Sequence, residues 1–249
     1  MYDTSWFSEQ QKEHDYLQVL LLAHIMDASH GELVFKGGTA LQKAYGLDRA
    51  SYDLDFSSFS TENLSDIDEG IERLSKFCTI VNDWESERRI SRKHISFMLR
   101  LVHPISKSLY TVSIDITIEK VLLEPKLVLL RPNYQSIKPF RLKVMDKNEI
   151  LAEKVRAIMS KDRNKARDIY DLWFLINNDT DVLPWLIDEK LKYIGKRFSM
   201  AEFEKRTTLL LQAKHWNQLK DLVKALPVRS TVKSTLTSAF KKSFSTNRI

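Results

Sequence analysis

The chain has 249 residues, 43% of them hydrophobic, with 39 basic against 33 acidic residues and a net charge of +6. A chain of this length buries roughly 70–75% of its unfolded surface and needs no disulfide staple. Its single cysteine, Cys78, excludes an internal bridge, and the six scattered histidines show no zinc-ligand spacing. The first residues, MYDTSWFSEQQKEHDY, are too polar for a secretory leader. Val19–Met26, the longest apolar run, is too short for a bilayer. A cytoplasmic protein without a membrane partner is the expectation. The last acidic residue is Asp221, so 222–249 hold six cations and no anion while the rest of the chain is balanced. That basic tail reads either as a nucleic-acid contact or as a terminal helix with a solvated basic face.

In chain order, Ser8 caps an expected helix that runs to about Ala28, its apolar side marked by Tyr16, Val19, Leu20 and Ala23. Glu32–Phe35 reads as a short buried strand. It runs into Gly37-Gly38-Thr39, a short helix over Ala40–Tyr45 and a second strand carrying Asp53 and Asp55. A helix is expected from Asn63 to about Val81, with Cys78 on its buried side. Strands are expected at Arg88–Ile90, His94–Val102 and Leu109–Ile118, the last two as a hairpin across His103–Ser108. Short strands follow at Leu127–Leu130 and Arg141–Met145. From Asp146 onward the pattern is helical, with helices expected to about Ser160 and at Ala166–Ile176, Val182–Ile194, Ser199–Gln212, His215–Leu226 and Ser230–Ser243. The expectation is an α+β chain. A mixed sheet flanked by helices fills 1–145, and an all-helical half at 146–249 completes a cleft.

The stretch Phe35–Ser58 carries the chemistry. Residues two apart on a strand share a face, so Asp53 and Asp55 project together while Tyr52, Leu54 and Phe56 face the core. Paired carboxylates resist ionisation unless a cation sits between them, and Mg²⁺ is the hard, oxygen-seeking answer. Glycines let the backbone approach phosphates, and the amides of the following helix point at them. Gly37, Gly38 and Thr39 thus read as a cradle for a nucleoside triphosphate. Asp115, inside the alternating strand Leu109–Ile118, is the natural third carboxylate, able to ligate metal and take a proton from an acceptor hydroxyl, with Glu119 as the fallback. Its bland reading is a strand aspartate paired with a lysine. In the helical half, Lys154 can reach phosphates as a point charge. Asp168 and Asp171 share a helix face and, without other context, read as a surface ion-pair face.

Four motifs in order, Lys36-Gly37-Gly38-Thr39-Ala40-Leu41, Arg49-x-Ser51-x-Asp53-x-Asp55, Glu153-Lys154-x-x-Ala157 and Arg167-Asp168-x-x-Asp171-Leu172, give the chain its resemblance to the AbiEii/AbiGii-type nucleotidyltransferase toxins. These are the toxin half of bacterial toxin–antitoxin and phage-abortive-infection pairs. The resemblance implies a nucleotidyltransferase fold with a helical C-terminal half, and an NTP donor used with Mg²⁺, two ions in such sites. It implies Asp53 and Asp55 as metal ligands, Lys154 on the nucleotide phosphates and Asp168 as a further active-site acid; Asp115 is expected to join the metal ligands on its strand position. Lys36, Arg49 and Ser51 are expected to assist in holding the nucleotide. It also implies tRNA 3′ ends as the target and a cognate antitoxin as partner. Three alternatives stay open: a protein or small-molecule acceptor, phosphoryl rather than nucleotidyl transfer, and a nucleotide-binding module without catalysis.

Overall fold

The computed structural model describes residues 2–29, 33–58, 64–161 and 163–246. They form two compact units, Met1–Gly46 with Ala50–Met145, and Leu47–Arg49 with Asp146–Ile249.

The first unit opens with α1, Glu9–Ala28. Ser8 and Gln11 cap it reciprocally: Ser8 Oγ accepts from the Gln11 amide at 3.2 Å, and Gln11 Oε1 accepts from the Ser8 amide at 2.9 Å. Then come β1 (Val34–Lys36), α2 (Gly37–Tyr45), β2 (Leu54–Ser58), α3 (Leu64–Leu74), β3 (Thr79–Ile80), β4 (Arg89–Ile90), β5 (His94–Val102), β6 (Leu109–Ile118), β7 (Lys126–Leu130) and β8 (Phe140–Val144). Among the described residues these strands make one mixed sheet in the order β3-β5-β6-β2-β1-β8-β7, with β4 added to β5. β2 runs parallel to β6 and β1 parallel to β8. The expected hairpin of β5 and β6 is present with its expected bounds. Alternation does the sorting: Val112, Ile114 and Ile116 are buried with Ile95, Phe97 and Leu99 opposite, while Ser113 and Asp115 face the other side. α1 packs on α3. Gly70 makes that approach possible, since a Cβ there would lie 2.8 Å from the Ile25 Cα.

The sheet is wider than the sequence pattern implied, because the helix expected to reach Val81 stops at Leu74. Thr79 and Ile80 instead pair with Val102 and Leu101 as an edge strand. Their β-branched side chains suit the pleated edge better than a last helical turn. Cys78 therefore lies beyond the helix, still buried, and burial pushes its thiol up to about 11. Phe77 is 54% exposed and stacks on His24. Asn63 and Glu32, the expected starts of that helix and of the first strand, lie outside the described residues.

The second unit is helical: α4 (Lys147–Met159), α5 (Ala166–Ile176), α6 (Pro184–Lys192), α7 (Met200–Leu210), α8 (Ala213–Trp216), a 3-10 turn at Asn217–Leu219 and α9 (Arg229–Thr246). The Asp146 side chain accepts from the Asn148 amide and starts α4. Lys190 of α6 is fully buried and reaches Glu149 at 2.6 Å and Glu153 at 3.2 Å, tying α6 to α4. The helix expected over His215–Leu226 is broken. Arg49 bridges to Val223, and the Lys224 amide donates to the Asp48 carbonyl at 3.0 Å. Pairing with the inserted segment Leu47–Arg49 takes the backbone groups that a helix would have used. The basic tail contains α9, whose Val232, Leu236 and Phe240 are buried, with Phe240 stacked on Phe203 at 4.3 Å. Lys233, Lys241 and Lys242 lie on its exposed side.

No described helix is long and apolar enough to cross a membrane.

Candidate active site

The β1–α2 junction is where chain geometry is most constrained. β1 ends at Lys36 and α2 begins directly at Gly37, with no loop between them. The Gly-Gly pair is thus the first turn of the helix rather than a turn before it. Gly37 has φ +77°, a conformation that side chains rarely adopt. A Cβ on Gly37 would also sit 2.1 Å from Asp55 Oδ2. The glycine is therefore required twice, by its backbone and by the carboxylate lying against it. Lys36, the residue before the helix, gives it no side-chain cap. The amides of the first turn carry the positive end of the helix dipole.

Asp55 stands opposite Lys36 on β1 and next to Asp115 on β6. Neighbouring strands lie about 4.8 Å apart, and directly registered parallel neighbours share a face. Asp55 and Asp115 are consequently side by side, while Leu54, Phe56, Ile114 and Ile116 fill the core behind them. Asp53 precedes β2 instead of lying on it. Its carbonyl oxygen accepts from the Thr39 hydroxyl at 2.5 Å, and Thr39 Oγ1 is also 2.9 Å from Ser51 Oγ. Thr39 and Ser51 are both buried, so these hydroxyls pin the 51–53 segment to α2 from inside. Gln18 of α1 adds a bond to the Ser51 carbonyl.

Three further side chains complete this group, Lys36, Glu119 and His94. Lys36 is buried, with Nζ 3.4 Å from Glu119 Oε1, so the fallback third acid is held by a cation from the neighbouring motif. Asp115 has His94 as a partner, Nε2 lying 3.1 Å from Oδ1. Sequence reasoning missed His94. The hairpin register held the signal: Ser96 faces Asp115, which puts His94 two residues along on the same face.

The donors here fit Mg²⁺ by their chemistry. They are carboxylate oxygens on adjacent strands, and Mg²⁺ in such sites takes one or two carboxylates and completes its shell with substrate phosphate and water. Asp53, Asp55 and Asp115 do not form a ready three-ligand cage: among the described residues no three His, Cys, Asp or Glu side chains are grouped that way.

The remaining sequence candidates belong to the helical unit, and here the expectation of a surface ion-pair face is overturned. Asp168 and Asp171 on α5 are completely buried. Lys154 of α4 lies 3.0 Å from Asp168 Oδ1 and 2.7 Å from Asp171 Oδ2. Arg49 grips Asp171 with both arms, Nε at 2.7 Å and Nη2 at 3.0 Å. Arg163 closes on Asp168 from the rim, Nε at 2.7 Å. Burial on its own would raise Asp168, but Lys154 and then Arg163 overcome it and hold its carboxyl well below the usual range. Asp171 is lowered in the same way against its burial, by Arg49 and then Lys154. Lys154 is raised by Asp171 and Asp168 despite burial. Arg49, expected beside the nucleotide, is thus a buried partner of Asp171. The isolated helix pattern could not reveal this, because Arg49 and Lys154 are distant in sequence.

Comparison with known proteins agrees with this architecture. The family described as nucleotidyl transferase AbiEii toxin, type IV TA system, matches residues 20–238. Two solved structures from Helicobacter pylori share the fold. One, presented as a candidate nucleotidyltransferase, has a TM-score of 0.66 at 20% identity and covers 98% of this chain and 100% of its own. The other, JHP933, has a TM-score of 0.62 at 21% identity and covers 97% and 98%. At such identity these likenesses speak to the fold alone. No curated protein matches the chain. The family match spans most of the sequence and includes all four motifs, so the chain belongs to the AbiEii nucleotidyltransferase toxin family.

Proposed function

We propose that this chain transfers a nucleotide from a nucleoside triphosphate to an acceptor hydroxyl at the 3′ end of tRNA, stops translation in the cytoplasm, and is restrained by a cognate antitoxin. The observation that carries this reading is the Asp55 carboxylate lying against Gly37 at the start of α2, with Asp115 as its strand neighbour. It joins an anion-binding helix start to a pair of acids on one face.

In this reading the triphosphate lies on the amides of Gly37, Gly38 and Thr39. Asp55, Asp115 and Asp53 would hold Mg²⁺, two ions as in related chemistry, which when bound neutralise phosphate charge and acidify the acceptor hydroxyl. Asp115 takes the proton from that hydroxyl, and His94 Nε2 keeps its carboxylate oriented. The acceptor oxygen bonds to the α-phosphorus, the bond to the β-phosphate oxygen breaks, and pyrophosphate leaves. Lys36 and Glu119 hold the strand ends on either side of Asp55. Lys154 is assigned to the phosphates on the family resemblance, and its ammonium is kept charged by Asp171 and Asp168. Arg49 enters as a positioning residue for Asp171.

The test is incubation of the protein with Mg²⁺, total bacterial RNA and each α-labelled nucleoside triphosphate in turn, beside Asp55→Asn. Label in a tRNA-sized band only with Asp55 intact supports the reading. Transfer of γ-label instead would make the reaction phosphoryl transfer, and no label in RNA from any donor would refute the tRNA acceptor.

A further inference from the structure

The chain total conceals a second basic region. Between Glu87 and Asp115 there are six cations, Arg88, Arg89, Arg92, Lys93, Arg100 and Lys107, and no acidic residue. The fold concentrates three of them. β4 and β5 are joined by a tight turn in which the Ser91 amide donates to the His94 carbonyl at 2.8 Å. Arg89, Arg92 and Lys93 are exposed on this turn. Among the described residues none of the three has a carboxylate partner.

Beside the turn lies a cavity of about 550 Å³, whose wall includes Glu87, Arg88, Arg89, Ser96, Met98, Ser113 and Asp115. Its volume is in the range of small-ligand sites, which run roughly 300–1,000 Å³. Ser96, Ser113 and Asp115 are neighbours on β5 and β6, on the face opposite the core. Met98 is 43% exposed and supplies an apolar surface of the kind a nucleobase covers. Arg88 is fixed as a wall. It pairs with Asp68 and lies over Trp84 and Phe97 at 5.0 and 5.2 Å. Its Nε is buried with no acceptor among the described residues.

We infer that this cavity and the β4–β5 turn are the acceptor subsite: the terminal nucleoside of a single-stranded RNA 3′ end enters the cavity, and the preceding phosphates run over Arg89, Arg92 and Lys93. The inference rests on the transfer reaction proposed above and assigns its acceptor side. The cavity wall that carries serines and a methionine also carries Asp115, so a ribose hydroxyl lodged there meets the acid that takes its proton. Arg89 belongs to both the cavity wall and the turn, so the cations outside adjoin the cavity. α9, with Lys233, Lys241 and Lys242, is the rival basic surface.

The experiment measures binding without any donor nucleotide, so its result is independent of whether transfer occurs. A short 5′-labelled single-stranded RNA with a free 3′ end is titrated by fluorescence anisotropy at several salt concentrations. The proteins are the native chain, the triple variant Arg89→Gln, Arg92→Gln, Lys93→Gln, and a charge-matched control, Lys233→Gln, Lys241→Gln, Lys242→Gln. Each phosphate contact on a single strand contributes about 0.7 to the slope of log affinity against log salt. Losing three contacts should flatten the slope by about 2 and weaken binding roughly 100-fold near 0.1 M salt. The double variant Arg89→Lys, Arg92→Lys keeps the charge and should keep the salt slope. An unchanged affinity in the turn variant, as expected if this surface serves an acidic protein partner, would overturn the inference. So would a loss confined to the α9 control. Failure of the labelling experiment with this binding pattern intact would strike the reaction and leave the RNA surface standing.

Discussion

Gly37→Ala tests the central geometry, and the fold supplies its own control in Gly46. Both glycines have φ +77°, so an alanine at either pays the same left-handed strain, about 1–2 kcal/mol. They differ in what a Cβ would meet. At Gly46 nothing lies within 4 Å, whereas at Gly37 the Asp55 carboxylate oxygen is 2.1 Å away and its Cγ 2.7 Å. A carbon and an oxygen need more than 3 Å, so the carboxylate or the helix start must move by about 1 Å. A displacement of that size in a reacting constellation costs on the order of 100-fold in rate. Gly46→Ala should therefore lose about 1–2 kcal/mol in urea unfolding and keep its transfer activity. Gly37→Ala should lose more than that and drop at least about 100-fold in kcat/KM in the labelled-nucleotide assay. Equal stability and equal activity in the two variants would mean that Asp55 does not lie against the start of α2.

Two further predictions concern the helical unit. Arg49→Met removes the bidentate partner of a fully buried carboxylate and should cost about 3–5 kcal/mol by urea unfolding. Adding Asp171→Asn should recover part of that loss, and strictly additive losses would show that the two side chains are not coupled. Asp168 and Asp171 are both held below their ordinary value of 3.8 in the folded chain. Folding stability from this pair is complete above that value and is lost as pH falls below it toward the lower folded values. Unfolding midpoints should hold near neutral pH and drop below about pH 4, with a smaller acid drop in Asp168→Asn, and an identical acid drop in that variant would remove Asp168 from the account.

The legibility of the chain follows the range of the interaction concerned. α1 with its Ser8 cap, the β5–β6 hairpin and α5 could all be read, because caps, alternation and helical spacing are local signals. The helix expected to Val81 failed where β-branched residues found a strand partner, Thr79 with Val102, more than twenty positions away. The helix expected at His215–Leu226 failed because Asp48 and Arg49 claim its backbone. Within the site, the carboxylates Asp55 and Asp115 were recognisable from their strands, but their adjacency was not, since it depends on β2 and β6 pairing in parallel across sixty residues.

Sequence alone determined the residue types that the chemistry needs, the period of each main element and the family motifs, since these are properties of short stretches. Tertiary structure decided which charges serve which purpose. It turned Asp168 and Asp171 from an apparent surface pair into a buried network with Lys154 and Arg49, and it gave Asp115 a histidine. It made Gly37 a requirement through the position of Asp55 and placed α9 in a core. The physical reason is that a charge is defined by what surrounds it. Burial and partners arrive only when segments far apart in the chain are packed together.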